Sequence, residues 1–274
     1  MEKRLNFSIF ILTHGRPDAQ YTYNALKKSG YTGSIIMLLD DEDDTYSQYI
    51  KNYSDDIIRV FNKQCYIDKS DTGTNIEQRK CILYAKNAAD DIAKEMGLSA
   101  YAVADDDILK FRHRWECDES IRSINVMNMD KVISAYTEFM ISGNISAMSF
   151  GDVRLYMGGK LECGRIPYNF VFRNTAIDFD WHSSMYEDTI TPVINNMRGK
   201  YTIELPHIQF DMKQSDNNAS GGMTDVYNTM SVFRRAGTTL LYHPSCVRYA
   251  NNLVGFELTK DKAFPKLISG GYKK

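Results

Sequence analysis

Ala100-Tyr101-Ala102-Val103-Ala104-Asp105-Asp106-Asp107 is the stretch whose reading decides the fold. A short apolar run with turn-forming acids behind it reads as a buried strand, and its carboxylates stand where the strand ends. Upstream, Thr74-Asn75-Ile76-Glu77 matches a capping box, Ser/Thr followed three residues later by Glu. It predicts a long helix with apolar residues at Ile82, Ala85, Ala89, Ile92, Ala93 and Met96, closed by Gly97. Further out, residues 7–13 (FSIFILT) form a first strand that stops at His14-Gly15-Arg16-Pro17. Pro17 suits the first turn of a helix, which runs over 17–29 with Gly30 as its stop. Residues 34–39 (SIIMLL) are a second strand, ending in Asp40-Asp41-Glu42-Asp43-Asp44, and residues 57–61 are a third. Strand and helix alternate, with acids at strand ends. That is an α/β chain with a mostly parallel central sheet, in which ligands bind beyond the carboxyl ends of the strands.

Downstream the pattern is less regular. A helix is expected over 129–141, a strand over 145–150, a strand over 168–173, a helix over 186–198 stopped by Gly199, and a strand over 200–205. The polar segment 211–223 reads as a loop and 225–236 as a helix; a Lys-rich tail starts at Thr259. No linker divides the 274 residues, so one domain is expected: a nucleotide-binding half over 1–110, a catalytic half over 111–258 and the tail over 259–274. Apolar residues make up 43% and charged residues 25%, enough for a sizeable core. The net charge of −2 gives no global field for a polyanion, so nucleic acid would need local basic patches. No run approaches the roughly 20 apolar residues of a membrane span, and no signal peptide is recognisable. Five scattered cysteines without CxxC spacing suggest neither disulfides nor zinc, and fit a reducing cytoplasm, a host's if the chain is viral.

Asp105 and Asp107 stand at alternate positions past a strand and can converge on one hard cation, Mg²⁺ or Mn²⁺, with phosphate oxygens completing the shell. A solvated acidic turn is the plainer reading of the same triplet. After the first strand, Gly15 allows close backbone approach and Arg16 can pair with phosphate. No GxGxxG or GxxxxGK[ST] is present, which argues against a dinucleotide fold and a P-loop. Asp40 and Asp41 can accept from a base or ribose, or be turn acids. Arg79, in the expected first helical turn, can reach a diphosphate; Lys86 reads as a solvated helix face. Glu187-Asp188 opens a helix, where the macrodipole favours anions, and an ionised carboxylate in a cleft suits a general base. The same pair can simply cap the helix. Trp181 can serve as a platform for a sugar or base, or be core. His243 can complete a metal shell. Lys110, Arg112, His113 and Arg114, interleaved with Phe111 and Trp115, suit phosphate contact and stacking, or a solvated loop.

Together these residues resemble the GT-A fold glycosyltransferases of the inverting, family-2-like branch. Three motifs over about 7–205 carry the resemblance: Ile-Leu-Thr-His-Gly-Arg-Pro with the later Leu-Leu-Asp-Asp; Val-Ala-Asp-Asp-Asp, similar to the family's DXD; and Asn-Phe-Val-Phe-Arg-Asn at 169–174, Glu187-Asp188 and Met-Arg-Gly-Lys-Tyr at 197–201. The resemblance implies an antiparallel acceptor-side extension to the sheet and a nucleotide sugar, foremost a UDP-sugar, as donor. Thr13 and Asp40 would hold the nucleoside and Arg79 the base or diphosphate. Asp105, Asp106 and Asp107 would serve donor and metal, and Asp188 would be the base. Asp106 replaces the usual small residue of DXD, and no QxxRW motif follows, so a processive synthase is not implied. The Thr-His-Gly-Arg-Pro-Asp opening with Lys-Ser-Gly-Tyr-Thr-Gly at 28–33 is similar to the TET/JBP-associated glycosyltransferases, which decorate hydroxymethylated pyrimidines in phage DNA. This implies DNA carrying 5-hydroxymethylcytosine or a related base as acceptor, with Arg112 and Arg114 among its contacts. Alternatives from the same residues are a glycan or small-molecule acceptor, a nucleotidyltransferase, and a non-catalytic DNA-binding module.

Overall fold

Alternation within the apolar runs builds the sheet. In β1 (Phe7–Leu12), Ile9 and Ile11 enter one core while Phe10 and Leu12 enter the other. In β4 (Ala100–Asp105), Ala100, Ala102 and Ala104 face the first core, Tyr101 and Val103 the second. Side chains alternate across a strand, so a strand buried on both faces must be apolar throughout. The computed structural model describes residues 6–73, 79–118, 120–156, 161–164, 166–213, 230–250, 255–259 and 263–264.

The other strands are β2 (Ser34–Asp40), β3 (Ile58–Phe61), β5 (Ile108–Cys117), β6 (Ser120–Asn125), β7 (Ala147–Asp152), β8 (Phe170–Asn174) and β9 (Thr202–Met212). They join β1 and β4 in one nine-stranded sheet of order β3-β2-β1-β4-β8-β7-β9-β5-β6. Only β8 and β5 run against the rest, each antiparallel to both neighbours, so seven of the nine strands point one way. The sheet is thus mostly parallel, and β9, β5 and β6 form its antiparallel extension. A small second sheet pairs β10 (Val247–Tyr249) with β11 (Phe256–Leu258).

Seven helices are described: α1 (Tyr21–Lys28), α2 (Tyr46–Asn52), α3 (Lys63–Lys69), α4 (Leu83–Glu95), α5 (Met129–Ser142), α6 (Glu187–Met197) and α7 (Val232–Tyr242). The first core packs α1 and α5 on one face of the sheet through Leu26, Met129 and Ile133; the second packs α4 on the other through Leu83, Tyr84 and Ala88. Among the described residues no helix is long and apolar enough to cross a membrane.

Several boundaries differ from expectation. α1 starts at Tyr21 because residues 16–20 make a turn instead: Ala19 N donates to Arg16 O, and Gln20 reaches back to Thr13 Oγ1 at 2.7 Å. α4 starts at Leu83, which leaves Arg79 ahead of the helix; 74–77 lie outside the described residues. The basic cluster 110–114 is not a loop but part of β5, paired to β6 and β9. The strand expected over 200–205 continues to Met212, so Asp211 is strand rather than loop, and 214–223 lie outside the described residues. The last helix is shifted, covering Val232–Tyr242. Within the expected tail, Ala263 and Phe264 are buried against Val193, Cys246 and Val247.

Candidate active site

The register brings three strand ends together. Leu12 pairs with Leu38 of β2 on one side and with Asp105 of β4 on the other. The segments that follow these strands therefore open on one edge, around a cleft of about 280 Å³. Its floor is apolar, from Leu12, Leu38, Phe61 and Ala85; its rim is polar, from Thr13, His14, Arg16, Asp40, Lys63, Arg79 and the three aspartates.

The aspartates divide their work. Asp106 is buried and turned back toward the β1 loop, accepting Thr13 Oγ1 at 2.7 Å and Arg16 Nη1 at 3.0 Å. Thr13 is itself held by Gln20 and lies 2.8 Å from Tyr49 OH. Asp106 is therefore a strut for the first loop. Asp105 and Asp107 keep their side chains for the cleft. Burial pushes Asp105 up to about 8, with Lys86 pulling down and the neighbouring acids pushing up. Burial and Asp106 raise Asp107, whose Oδ1 is enclosed and has no hydrogen-bond partner among the described residues. A buried, unsatisfied carboxylate oxygen beside a second carboxylate fits an oxygen-liganded divalent cation. Among the described residues no three His, Cys, Asp or Glu side chains are grouped to hold a metal alone.

Asp40 lines the cleft but already holds two basic partners. His14 Nδ1 lies 2.9 Å from Oδ2 and Lys63 Nζ 2.9 Å from Oδ1. Burial would raise it, but these two partners win and hold it down at about 2. Asp41 accepts the Lys63 amide at 2.9 Å. Arg79 reaches the cleft while pairing with Glu42 and, at 2.9 Å, with Gln64.

The second acid pair meets the first through a lysine. Lys86 is not a solvated helix residue: it is 5% exposed, its Nζ is 2.8 Å from Glu187 Oε1 and 4.4 Å from the Trp181 ring centre. Asp105 and Asp188 both add to the pull of Glu187 in keeping it charged against burial. Asp188, beside Glu187 at the start of α6, is raised by burial and by Glu187, against Lys86. The macrodipole argument for an ionised carboxylate is outweighed here by desolvation. Tyr186, just ahead of α6, is left-handed at φ 52°, as are Ser183 at 75° and Asn169 at 51°, and such strain gathers at functional sites.

A family model described as TET-Associated Glycosyltransferase matches residues 7–222. The chain belongs to this family. It is a glycosyltransferase of α/β architecture. No curated protein matches it. One solved structure, described only as a mycobacterial protein, aligns at a TM-score of 0.45 and 10% identity, covering 77% of this chain and 68% of that one.

Several residues of the transferase have plainer places than their motifs suggest. Trp181 is 1% exposed and edge-on to Phe179, with Lys86 over its face, so it offers no open platform. His243 caps the end of α7, with Nε2 3.1 Å from Ile190 O. Arg173, the arginine of the Phe-Arg motif, is fully buried, 3.5 Å from Asp90 and stacked on Phe179. Arg112 is tied to Asp211 at 3.2 Å. Arg114 shares its face of β5, two residues on, and its Nε has no partner among the described residues. Lys63, Lys86 and the Arg154–Asp152 pair were not legible as site residues. Arg154 is raised mainly by Asp152, with Asp107 and Asp105 also pulling, so it is a cation on the acid side of the cleft. Lysines inside an apolar helix pattern carry no local mark of burial; the one hint is that Lys86 lies on the same helix as the core residue Leu83.

Proposed function

We propose that this transferase is a single-domain, metal-dependent, inverting enzyme that moves a sugar from a nucleotide donor, foremost a UDP-sugar, to a hydroxymethylpyrimidine in DNA, foremost 5-hydroxymethylcytosine. The observation that carries the reading is buried Lys86, which pairs with Glu187 and lies within electrostatic reach of Asp105 and Asp188, beside a cleft of about 280 Å³ that Asp105 and Asp107 line. The family description supports a TET-associated transferase, and a hydroxymethylated pyrimidine is the acceptor that the resemblance of the opening motif implies. Residues 1–110 would hold the donor and 111–258 the acceptor and the base.

Nucleotide binding would use the apolar floor of Leu12, Leu38 and Phe61 under the base, with Arg79 at the rim. Asp107 and Asp105 would hold the cation, which neutralises charge on the departing diphosphate. Arg154, within electrostatic reach of both carboxylates, would lend further positive charge. Asp188 would take the proton of the acceptor hydroxyl. The freed oxygen lone pair then forms a bond to the anomeric carbon as the carbon–diphosphate bond breaks on the opposite face. One displacement inverts the anomeric centre. A buried carboxyl raised toward neutrality is a stronger base than a solvated one, which suits this role.

The test is transfer of labelled sugar from a panel of nucleotide sugars, with Mn²⁺, to DNA containing or lacking 5-hydroxymethylcytosine. Label should enter only the modified DNA, and Asp188→Asn should bind donor yet transfer at least about 100-fold more slowly. Transfer to a glycan but not to DNA would remove the acceptor assignment, and full transfer with EDTA would remove the metal.

A further inference from the structure

At the donor cleft the polar atoms of β2 are already spoken for. Asp40 accepts from His14 on one oxygen and from Lys63 on the other, and its side chain is only 9% exposed. His14, lining the same cleft, is 40% exposed at its side chain. An ionised carboxylate only accepts, so Nδ1 of His14 carries the proton in this contact and Nε2 is the ring's remaining polar atom. Nε2 has no partner among the described residues. The loop that carries the ring is fixed: Gly15, at φ +68°, donates its N–H to Asp43 Oδ2 at 2.8 Å, and that same oxygen stands 4.0 Å from Nδ1.

We propose that His14 is a donor-binding residue, presenting Nε2–H to the diphosphate of the sugar nucleotide while Asp40 orients the ring. The inference rests on the reading of this cleft as the donor site. It moves the polar contact there from the acid that the motif points to onto the histidine one strand away. The charges around the ring agree. Asp40 from β2 and Asp43 from the loop after it favour the imidazolium; Lys63 from α3 opposes it but is shared between Asp40 and Glu42. Arg16, on the ring's own loop, is committed to Asp106 at the end of β4. The hydrogen bond to Asp40 leads in raising His14 above its ordinary range, ahead of the opposing burial. A cation at the rim is what a diphosphate needs.

The test is calorimetric binding of UDP, GDP, CDP and ADP, with saturating Mn²⁺, between about pH 6 and 9. The wild type should bind its preferred diphosphate about tenfold more weakly at the alkaline end. Carboxylates that must shed protons to hold the cation would drive affinity the other way, so the sign identifies the histidine. His14→Gln should lose about tenfold at pH 6 and show no alkaline decline, while the parent nucleoside binds both proteins alike. Equal diphosphate affinity in wild type and His14→Gln, with the wild type binding well, overturns the inference alone. Binding of no nucleoside diphosphate by the wild type overturns the donor-cleft reading as well. Should His14→Gln melt early, the wild-type pH profile decides: affinity flat or rising with pH sinks the proposal.

Discussion

Lys86 shows how much one buried charge can organise. It has exchanged water for Glu187 at 2.8 Å and the face of Trp181, and it lies within electrostatic reach of both acid motifs. Removing one partner of a buried pair leaves the other charge uncompensated, which typically costs about 3–5 kcal/mol. Lys86→Met should therefore destabilise by about 3 kcal/mol, and Lys86→Met with Glu187→Gln should recover part of that loss. Urea melts of the three proteins check this; a double variant no better than the single would show that the pair is not coupled. Asp105 gives a pH prediction with a definite sign. Burial first, then its acid neighbours, push it up to about 8. The folded protein thus keeps a proton that the unfolded chain sheds near pH 4. Its contribution to stability is whole below that range and is lost as pH rises toward and through about 8. In EDTA, the wild type should lose melting temperature from about pH 5 to 8 more steeply than Asp105→Asn. Parallel slopes would refute it.

Helix ends were the most legible elements, because their signal is local chemistry. The sequence marks Gly30 as the stop of α1, and a Schellman motif stands there: Tyr31 N donates to Leu26 O at 3.0 Å and Gly30 N to Lys27 O at 3.1 Å. The same pairing closes α4 at Gly97 and α6 at Gly199. The three differ in surroundings. A Cβ on Gly30, at φ +80°, would lie 2.7 Å from the carbonyl oxygen of Met127, while one on Gly97 or Gly199 would meet nothing within 4 Å. Gly97→Ala and Gly199→Ala should each cost about 1 kcal/mol, the left-handed backbone alone. Gly30→Ala should cost at least about 2 kcal/mol, since the backbone at Met127 must also move. Chemical melts would decide it, and equal losses at all three would show that the Met127 approach is slack. The starts of β1, β2 and β4 fell where the apolar runs begin, whereas the start of α1 was less legible. The turn over 16–20 is held by long-range bonds to Tyr49 and Asp106, which no local pattern announces. β5 was hidden for a related reason: its alternate Lys110, Arg112 and Arg114 look like loop residues until β9 and β6 pair with it.

For the whole molecule, the proposed DNA acceptor raises the question of how a chain of net charge −2 would meet a polyanion. The cleft beside β1, β2 and β4 was readable because the acids that line it follow apolar strands. The proposed acceptor face was not, because β5, β6 and β9 bring together residues far apart in sequence. That face has a natural order of importance. Phe111 points into the first core, so by alternation Arg112 and Arg114 project from the opposite face, on the side of the sheet that carries α4. Arg112 spends its charge on Asp211, as does Lys110 at 3.0 Å, whereas Arg114 stands opposite Ser123 of β6 and makes no ion pair with any described residue. If DNA is the acceptor, Arg114 should carry more of its binding than Arg112. Each phosphate contact releases condensed counterion, so losing one lowers the slope of log affinity against log salt by about one on duplex DNA. Arg114→Ala should reduce that slope by about one and weaken DNA binding several-fold in low salt, leaving nucleoside diphosphate affinity unchanged. Arg112→Ala should do less, because its charge is already offset by Asp211, which keeps only Lys110 as its partner in the variant. Fluorescence anisotropy with duplex DNA across a salt series separates the two. A slope unchanged by Arg114→Ala would place the DNA elsewhere on the molecule, and a larger effect from Arg112→Ala would mean that Asp211 releases it when DNA arrives.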